Sequence, residues 1–214
     1  MEVRMKKQAV CFILVITLLT CGMPAFAAAG YSDVPSGHWA EGYINRATQL
    51  SIVNGVGNGR FGLGTNVTRA QFAAMLTRLF AWKTVTPAVP SFSDNRNKDA
   101  WYYSAVETAA ANGAVAKGIT AFRPEADITR EEMAVMLVCA LGYETLAESV
   151  AGYGVPFTDV TENVGYITIA SSFGIINGTT PTTFAPRGSA TREQAAAMII
   201  RLYERRSAKV DWLH

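Results

Sequence analysis

One pattern is written three times along this chain, and a repeat of that size cannot bury its own apolar faces unaided. The copies open with Tyr31-Ser32-Asp33, Phe92-Ser93-Asp94 and Phe157-Thr158-Asp159. Each reaches a Phe (Phe61, Phe122, Phe184) seven residues before a Thr-Arg pair, namely Thr68-Arg69, Thr129-Arg130 and Thr191-Arg192. The pairs recur at 61 and 62 residues, and the Asp-to-Thr spacing is 35, 35 and 32.

The first half of each copy has helical spacing: Trp39, Tyr43, Ile44, Ala47 and Leu50, then Trp101, Ala105, Val106 and Ala109, then Ile167, Ala170 and Phe173. Turn formers end these runs at Asn54-Gly55, Lys117-Gly118 and Asn177-Gly178. The loop that follows closes on the Phe, which reads as a plug pinning the loop to the core. A second helix then starts at a capping box, Thr68 with Gln71, Thr129 with Glu132 and Thr191 with Gln194. Behind the caps run the stripes Phe72, Met75, Leu76, Leu79, Phe80; Met133, Met136, Leu137, Ala140, Leu141; and Ala195, Met198, Ile199, Leu202, Tyr203. The expectation is an all-α fold: three helix-loop-helix repeats at 31–81, 92–143 and 157–206, packed as one pseudo-threefold helical domain. The second linker is expected to hold an extra helical turn around Leu146 to Val150.

Charge narrows the function. The chain carries 19 Lys+Arg against 17 Asp+Glu, but Arg4, Lys6 and Lys7 against Glu2 account for the whole surplus. That segment reads as a signal peptide over 1–27: a basic start, an apolar stretch from Ala9 to Leu19, then small residues at Ala25-Phe26-Ala27. An uncleaved membrane anchor and a lipoprotein processed at Cys21 stay open beside it. The remainder is neutral, which argues against a nucleic-acid partner or stable membrane insertion after signal removal. Cys139 in an apolar helix reads as a small buried hydrophobe.

Arg69, Arg130 and Arg192 fall on the first residue of their helices, where the helix dipole disfavours a cation by roughly 0.3 to 1 kcal/mol. Two readings account for them. Each Arg could pair with an Asp of a neighbouring unit or cover apolar surface with its stem. Alternatively, the guanidinium and the free N-terminal amides converge on an external carboxylate, with Asp33, Asp94 or Asp159 orienting the Arg.

The Phe/Tyr-Ser/Thr-Asp opening, Trp39 and Trp101, the Gly-rich loop and the Thr-Arg-x-Glu/Gln helix start resemble the surface-layer homology (SLH) motif in three tandem copies, over about residues 31 to 205. The resemblance implies an exported, noncatalytic module of the bacterial cell surface that binds pyruvylated secondary cell wall polysaccharide without cofactors. It implies ligand-binding roles for Arg69, Arg130, Arg192, Asp33, Asp94, Asp159, Trp39, Trp101, Thr68, Thr129 and Thr191. The alternative partners are other surface-layer proteins. Three departures bear on the sites: Glu162 stands in the register of Trp39 and Trp101, Leu63-Gly64 replaces the usual Pro, and Lys117 replaces Gly. The missing aromatic in the third copy ranks the sites on Arg69 and Arg130 above that on Arg192, and Trp39 and Trp101 read first as core.

Other signals carry less. Gly57-Asn58-Gly59-Arg60-Phe61-Gly62 follows a helical stretch, so it is no dinucleotide loop. Asp94 to Asp99 puts Arg96 and Lys98 at would-be calcium ligand positions and reads as a solvated turn. His38 and His214 lie far apart, leaving neither a histidine metal site nor a His-based triad.

Overall fold

The computed structural model describes residues 30–210, with side chains to residue 207. The expected export signal at 1–27, with Cys11 and Cys21, lies outside the described residues. Seven helices follow in order: α1 (Glu41–Gln49) and α2 (Arg69–Leu79) from the first copy, α3 (Tyr103–Ala111) and α4 (Arg130–Ala140) from the second, α5 (Glu144–Ser149) in the second linker, and α6 (Val164–Ser172) and α7 (Arg192–Val210) from the third. The fold is all-α, and the helical turn expected in the second linker is α5. Among the described residues no helix is long and apolar enough to cross a membrane.

The first helix of each copy packs on the second helix of the preceding copy. Thus α3 lies on α2 and α6 on α4, while α1 lies on α7 and closes the chain into a ring. Partner exchange of this kind is how each unit covers what it cannot cover alone. The second helices are buried beyond their predicted stripes, since Ala70, Ala73, Ala134, Val138, Ala196 and Ile200 are also inaccessible. A helix enclosed by neighbours loses its solvent face, so the period seen in sequence understates its burial.

The segments entering the second helices meet at the centre. The Val67 amide donates to the Ala190 carbonyl, the Ala190 amide to the Ile128 carbonyl and the Ile128 amide to the Val67 carbonyl, each at 2.9 Å. These three bonds form a closed cycle, and all three side chains are buried. Just beyond it, each helix's first amide donates to the next copy: Arg69 to the Ala126 carbonyl and Arg130 to the Gly188 carbonyl, both at 3.0 Å, and Arg192 to the Thr65 carbonyl at 2.9 Å. The second amides of α2 and α4 reach the Pro124 and Pro186 carbonyls. The third amides take the Thr hydroxyls, at 3.2 Å for Thr68 and Thr129 and 3.5 Å for Thr191. The first and third amides of all three helices, and the second amides of α2 and α4, are therefore engaged within the ring, which corrects the expectation that they would converge on an external anion.

The three plugs form as expected. Phe61, Phe122 and Phe184 are inaccessible and contact the aromatic that opens their own copy, Tyr31, Phe92 and Phe157. Asp33 accepts from the amides of Phe61, Gly62 and Leu63, Asp94 from those of Phe122 and Arg123, and Asp159 from those of Phe184 and Ala185. Burial raises the Asp33 carboxyl, but these amides together outweigh it and hold it below 3.8. The Phe184 amide leads in holding Asp159 below the same value, against desolvation. In the Asp94–Asp99 segment, read above as solvated, Asn95 is fully buried and donates to Glu107 at 2.7 Å. Cys139 is buried as expected, with its thiol pushed up to about 12 by desolvation first and by Glu144 second.

Two predictions follow from this packing. A Cβ on Gly165 of α6 would lie 1.7 Å from the Ala147 carbonyl oxygen of α5, a backbone atom that a rotamer change cannot move. Gly165→Ala, helix-favouring by about 1 kcal/mol elsewhere, is expected to lower stability by about 1–3 kcal/mol in urea unfolding. A carboxyl whose folded pKa lies below its unfolded value contributes stability that is present above the unfolded value of 3.8 and lost as pH falls through the folded one. Unfolding measured from pH 7 downward should therefore show an acid limb below about pH 4, which Asp33→Asn flattens while lowering stability at neutral pH.

Candidate functional site

Each helix-start arginine reaches across to the plug of the next copy. Arg69 Nε donates to the Phe122 carbonyl at 2.6 Å, Arg130 Nε to that of Phe184 at 2.8 Å and Arg192 Nε to that of Phe61 at 2.9 Å. Each guanidinium also lies over the ring of that same Phe, 4.6 to 4.9 Å from its centroid. The Phe amide is held by the Asp of its own copy while its carbonyl is held by the Arg of the preceding copy. Arg and Asp therefore bracket one residue rather than touch each other, which corrects the expected Arg–Asp contact.

All three arginines are more than nine-tenths buried, and desolvation lowers their pKa from the ordinary arginine value. Their counter-charges differ. Arg69 Nη1 lies 3.1 Å from Glu132 Oε1, the acid at the third position of α4, which also pairs with Arg123. Arg130 and Arg192 have no carboxylate within 4.0 Å among the described residues. Their Nη2 atoms donate to the Asn177 and Asn54 carbonyls, both at 2.8 Å, leaving Nη1 without a hydrogen bond among the described residues. Their hydrogen-bond partners are neutral carbonyls, while the charge of Asp159 favours ionised Arg130 and those of Asp33 and Glu193 favour ionised Arg192 from beyond 4.0 Å, so each buried cation is compensated only at a distance.

These side chains sit in grooves assembled from all three copies. The Arg130 groove, about 390 Å³, combines Arg130 of the second copy, Asn177 and Gln194 of the third and Trp39 of the first. The Arg192 groove, about 240 Å³, combines Arg192 of the third copy, Asn54 and Gln71 of the first and Trp101 of the second. Trp39 and Trp101 are 54% and 63% exposed, against the expectation that they are core. Both precede their helices by two residues, so they stand outside the faces that Ile44, Ala47, Val106 and Ala109 bury.

The Arg69 groove, about 210 Å³, is built from Arg69, the second-copy loop, Glu132 and Asn163. Its third-copy wall lacks a tryptophan because Glu162 precedes α6 by the same two residues, and Glu162 pairs with Arg187 at 3.2 Å. The missing aromatic thus falls on the Arg69 groove and not on the Arg192 groove, reversing the geometry behind the ranking drawn from sequence. The loop differs as well. A Cβ on Gly55 would lie 2.5 Å from the Arg60 carbonyl oxygen, and one on Gly178 2.3 Å from that of Thr180. Lys117, at the corresponding position, needs another path, and its Nζ bonds to Glu144 of α5 at 2.6 Å.

Of the predicted site residues, the grooves bring together Arg130 with Trp39 and Arg192 with Trp101, and hold Arg69 apart from any tryptophan. Thr68, Thr129 and Thr191 act as helix caps, and Asp33, Asp94 and Asp159 pin the loops; none of the six lines these grooves. Sequence reasoning passed over Gln71 and Gln194 as groove residues because their capping role explained them, and passed over Asn54 and Asn177 because they act through backbone carbonyls.

Comparison with known proteins agrees with this architecture. The model of the S-layer homology domain matches residues 30–73, 91–134 and 156–196. The S-layer protein EA1 of Bacillus anthracis is 36% identical over 194 residues, covering 86% of this chain and 21% of that protein. An amylopullulanase of Thermoanaerobacterium thermosulfurigenes is 34% identical over 183 residues (82% and 10%), and the exoglucanase XynX of Acetivibrio thermocellus 32% over 197 residues (88% and 18%). This chain therefore spans about a fifth or less of the length of these relatives. With three matched segments, each contributing to all three grooves, the chain belongs to the S-layer homology domain family of cell-surface anchoring modules.

Proposed function

We propose that this chain is a noncatalytic cell-wall anchor that binds pyruvylated secondary cell wall polysaccharide through two grooves, those of Arg130 and Arg192. The observation that carries the reading is the pair of buried guanidinium groups that have no carboxylate within 4.0 Å among the described residues, each lining an open groove. A pyruvate ketal presents one carboxylate on a sugar ring. The free Nη1 donates to that carboxylate, and the exposed Trp39 or Trp101 covers the sugar's apolar face. Because Nε and Nη2 are already fixed by carbonyls, the cation is held in place before the ligand arrives, and little side-chain entropy is lost on binding. Burial strengthens the contact, since the charge–charge term is less screened than at an open surface.

In the Arg69 groove the Glu132 carboxylate occupies the position a ligand carboxylate would take on the guanidinium. That groove is internally neutralised and contributes little. Two grooves on one rigid domain can still engage one repeating polymer, and avidity multiplies their weak individual affinities.

Sedimentation with purified wall polysaccharide tests the reading. Arg130→Gln with Arg192→Gln should abolish binding, and removal of pyruvate from the glycan should do the same. Trp39→Ala and Trp101→Ala should each weaken binding to their own groove by roughly tenfold, about 1.4 kcal/mol. Full retention of binding in the double arginine variant, or after pyruvate removal, overturns the reading.

A further inference from the structure

The floors of the two tryptophan-walled grooves are made of the same four residue types. Gln71, Ala74, Met75 and Arg78 on α2, and Gln194, Ala197, Met198 and Arg201 on α7, follow one another at i, i+3, i+4 and i+7 and line one cavity each. The matching positions on α4 are Glu132, Val135, Met136 and Cys139, and the last is buried. The duplication is therefore confined to the grooves whose helix-start arginine has no carboxylate within 4.0 Å among the described residues. A glutamine seven positions from an arginine spans two helical turns, about 10.5 Å along the axis at 1.5 Å per residue, which is longer than one sugar ring.

The arginine closing each stripe brings a second cation to its groove. Arg78 is exposed and donates Nη1 to the Ile52 carbonyl at 3.1 Å. Arg201 is half-buried, donates Nε to the Tyr43 hydroxyl at 3.4 Å and lies 5.1 Å from the centroid of that ring. Neither has a carboxylate within 4.0 Å among the described residues. The charge of Arg201 reaches Arg130, where it opposes the ionised form. In the Arg130 groove these two like charges repel each other, a cost that a second anion would relieve. Between them, Ala and Met add a short apolar stretch to the lining of each cavity.

We infer that Arg78 and Arg201 form second anionic subsites, and that each of these grooves takes an oligosaccharide segment carrying two anionic groups, one for the buried arginine and one for the outer. This rests on the wall-glycan reading above and adds to it the charge pattern of the ligand. The outer arginine selects glycan in which charged sugars lie close along the chain over glycan in which they are isolated.

Titration calorimetry with two probes tests the inference: the methyl glycoside of a pyruvylated hexosamine, with one carboxylate, and a disaccharide bearing a pyruvate ketal on each ring. The native sequence should bind the two-charge probe about tenfold more tightly, the scale of one charge-assisted contact. Arg78→Gln with Arg201→Gln should erase that preference while leaving the affinity for the one-charge probe within about twofold. Arg78→Lys with Arg201→Lys retains the charge and should retain most of the preference, and it serves as the second variant should the glutamine pair disturb the fold by circular dichroism. Equal affinity of the native sequence for both probes, or an undiminished preference in the folded glutamine variant, overturns the inference and leaves the anchoring reading intact. That reading fails separately, if Arg130→Gln with Arg192→Gln still binds the one-charge probe at native strength.

Discussion

The cycle of three backbone hydrogen bonds among Val67, Ala190 and Ile128 is the constraint on which the rest of the molecule depends. Each of these residues immediately precedes a helix-capping threonine, so closing the cycle fixes where three helices start relative to one another. The first amides of those helices then donate to the neighbouring copy's carbonyls. Once the helix starts are fixed, each first-position arginine emerges beside the plug of the next copy. An arginine at a helix N-terminus is unfavourable in isolation. Here its Nε satisfies a buried carbonyl and its plane covers a buried ring, so the cation also acts as a strut between repeats.

That double role leaves part of a structural residue's hydrogen-bonding capacity unused. A guanidinium has five N–H donors in a rigid fork. Arg130 and Arg192 use the Nε and Nη2 side of the fork on backbone carbonyls and keep Nη1 free. A lysine could not divide its contacts in this way, because its ammonium is one point on a flexible stem. The same division explains why Glu132 alters the Arg69 groove without altering the ring: it engages only Nη1, while Nε still holds the Phe122 carbonyl.

The architecture was legible because its determinants are local and repeated. The capping boxes, the plugs at Phe61, Phe122 and Phe184, and the apolar stripes each declare themselves within one copy, and three-fold repetition removes doubt about register. The grooves were less legible because each is composite. That Trp39 belongs with Arg130, and Trp101 with Arg192, depends on which copy follows which around the ring, and no spacing within a repeat encodes that order. Reading Trp39 as core followed from its place in a helical stripe, whereas the helix starts two residues later and its buried face points elsewhere. The engagement of the N-terminal amides was invisible for a related reason: their acceptors, such as the Gly188 and Ala126 carbonyls, carry no side-chain signature.

Because every groove draws one part from each copy, a change in any one repeat is felt at a groove shared with the other two. Glu132 and Cys139 lie in the second copy and Glu162 in the third, and in the linear sequence they look like unrelated drift. In space Glu132 lines the groove that opens over Arg69, Glu162 adjoins its wall residue Asn163, and Cys139 is buried on the same helix as Glu132, while the other two grooves keep matching stripes of Gln, Ala, Met and Arg and a tryptophan each. The heterogeneity of the three repeats is thus not spread evenly around the ring. It is gathered toward the groove over Arg69, which gives a repeated domain a polarity: two grooves in which the helix-start arginine has no carboxylate within 4.0 Å among the described residues, and a third in which the chain has closed over its own cation.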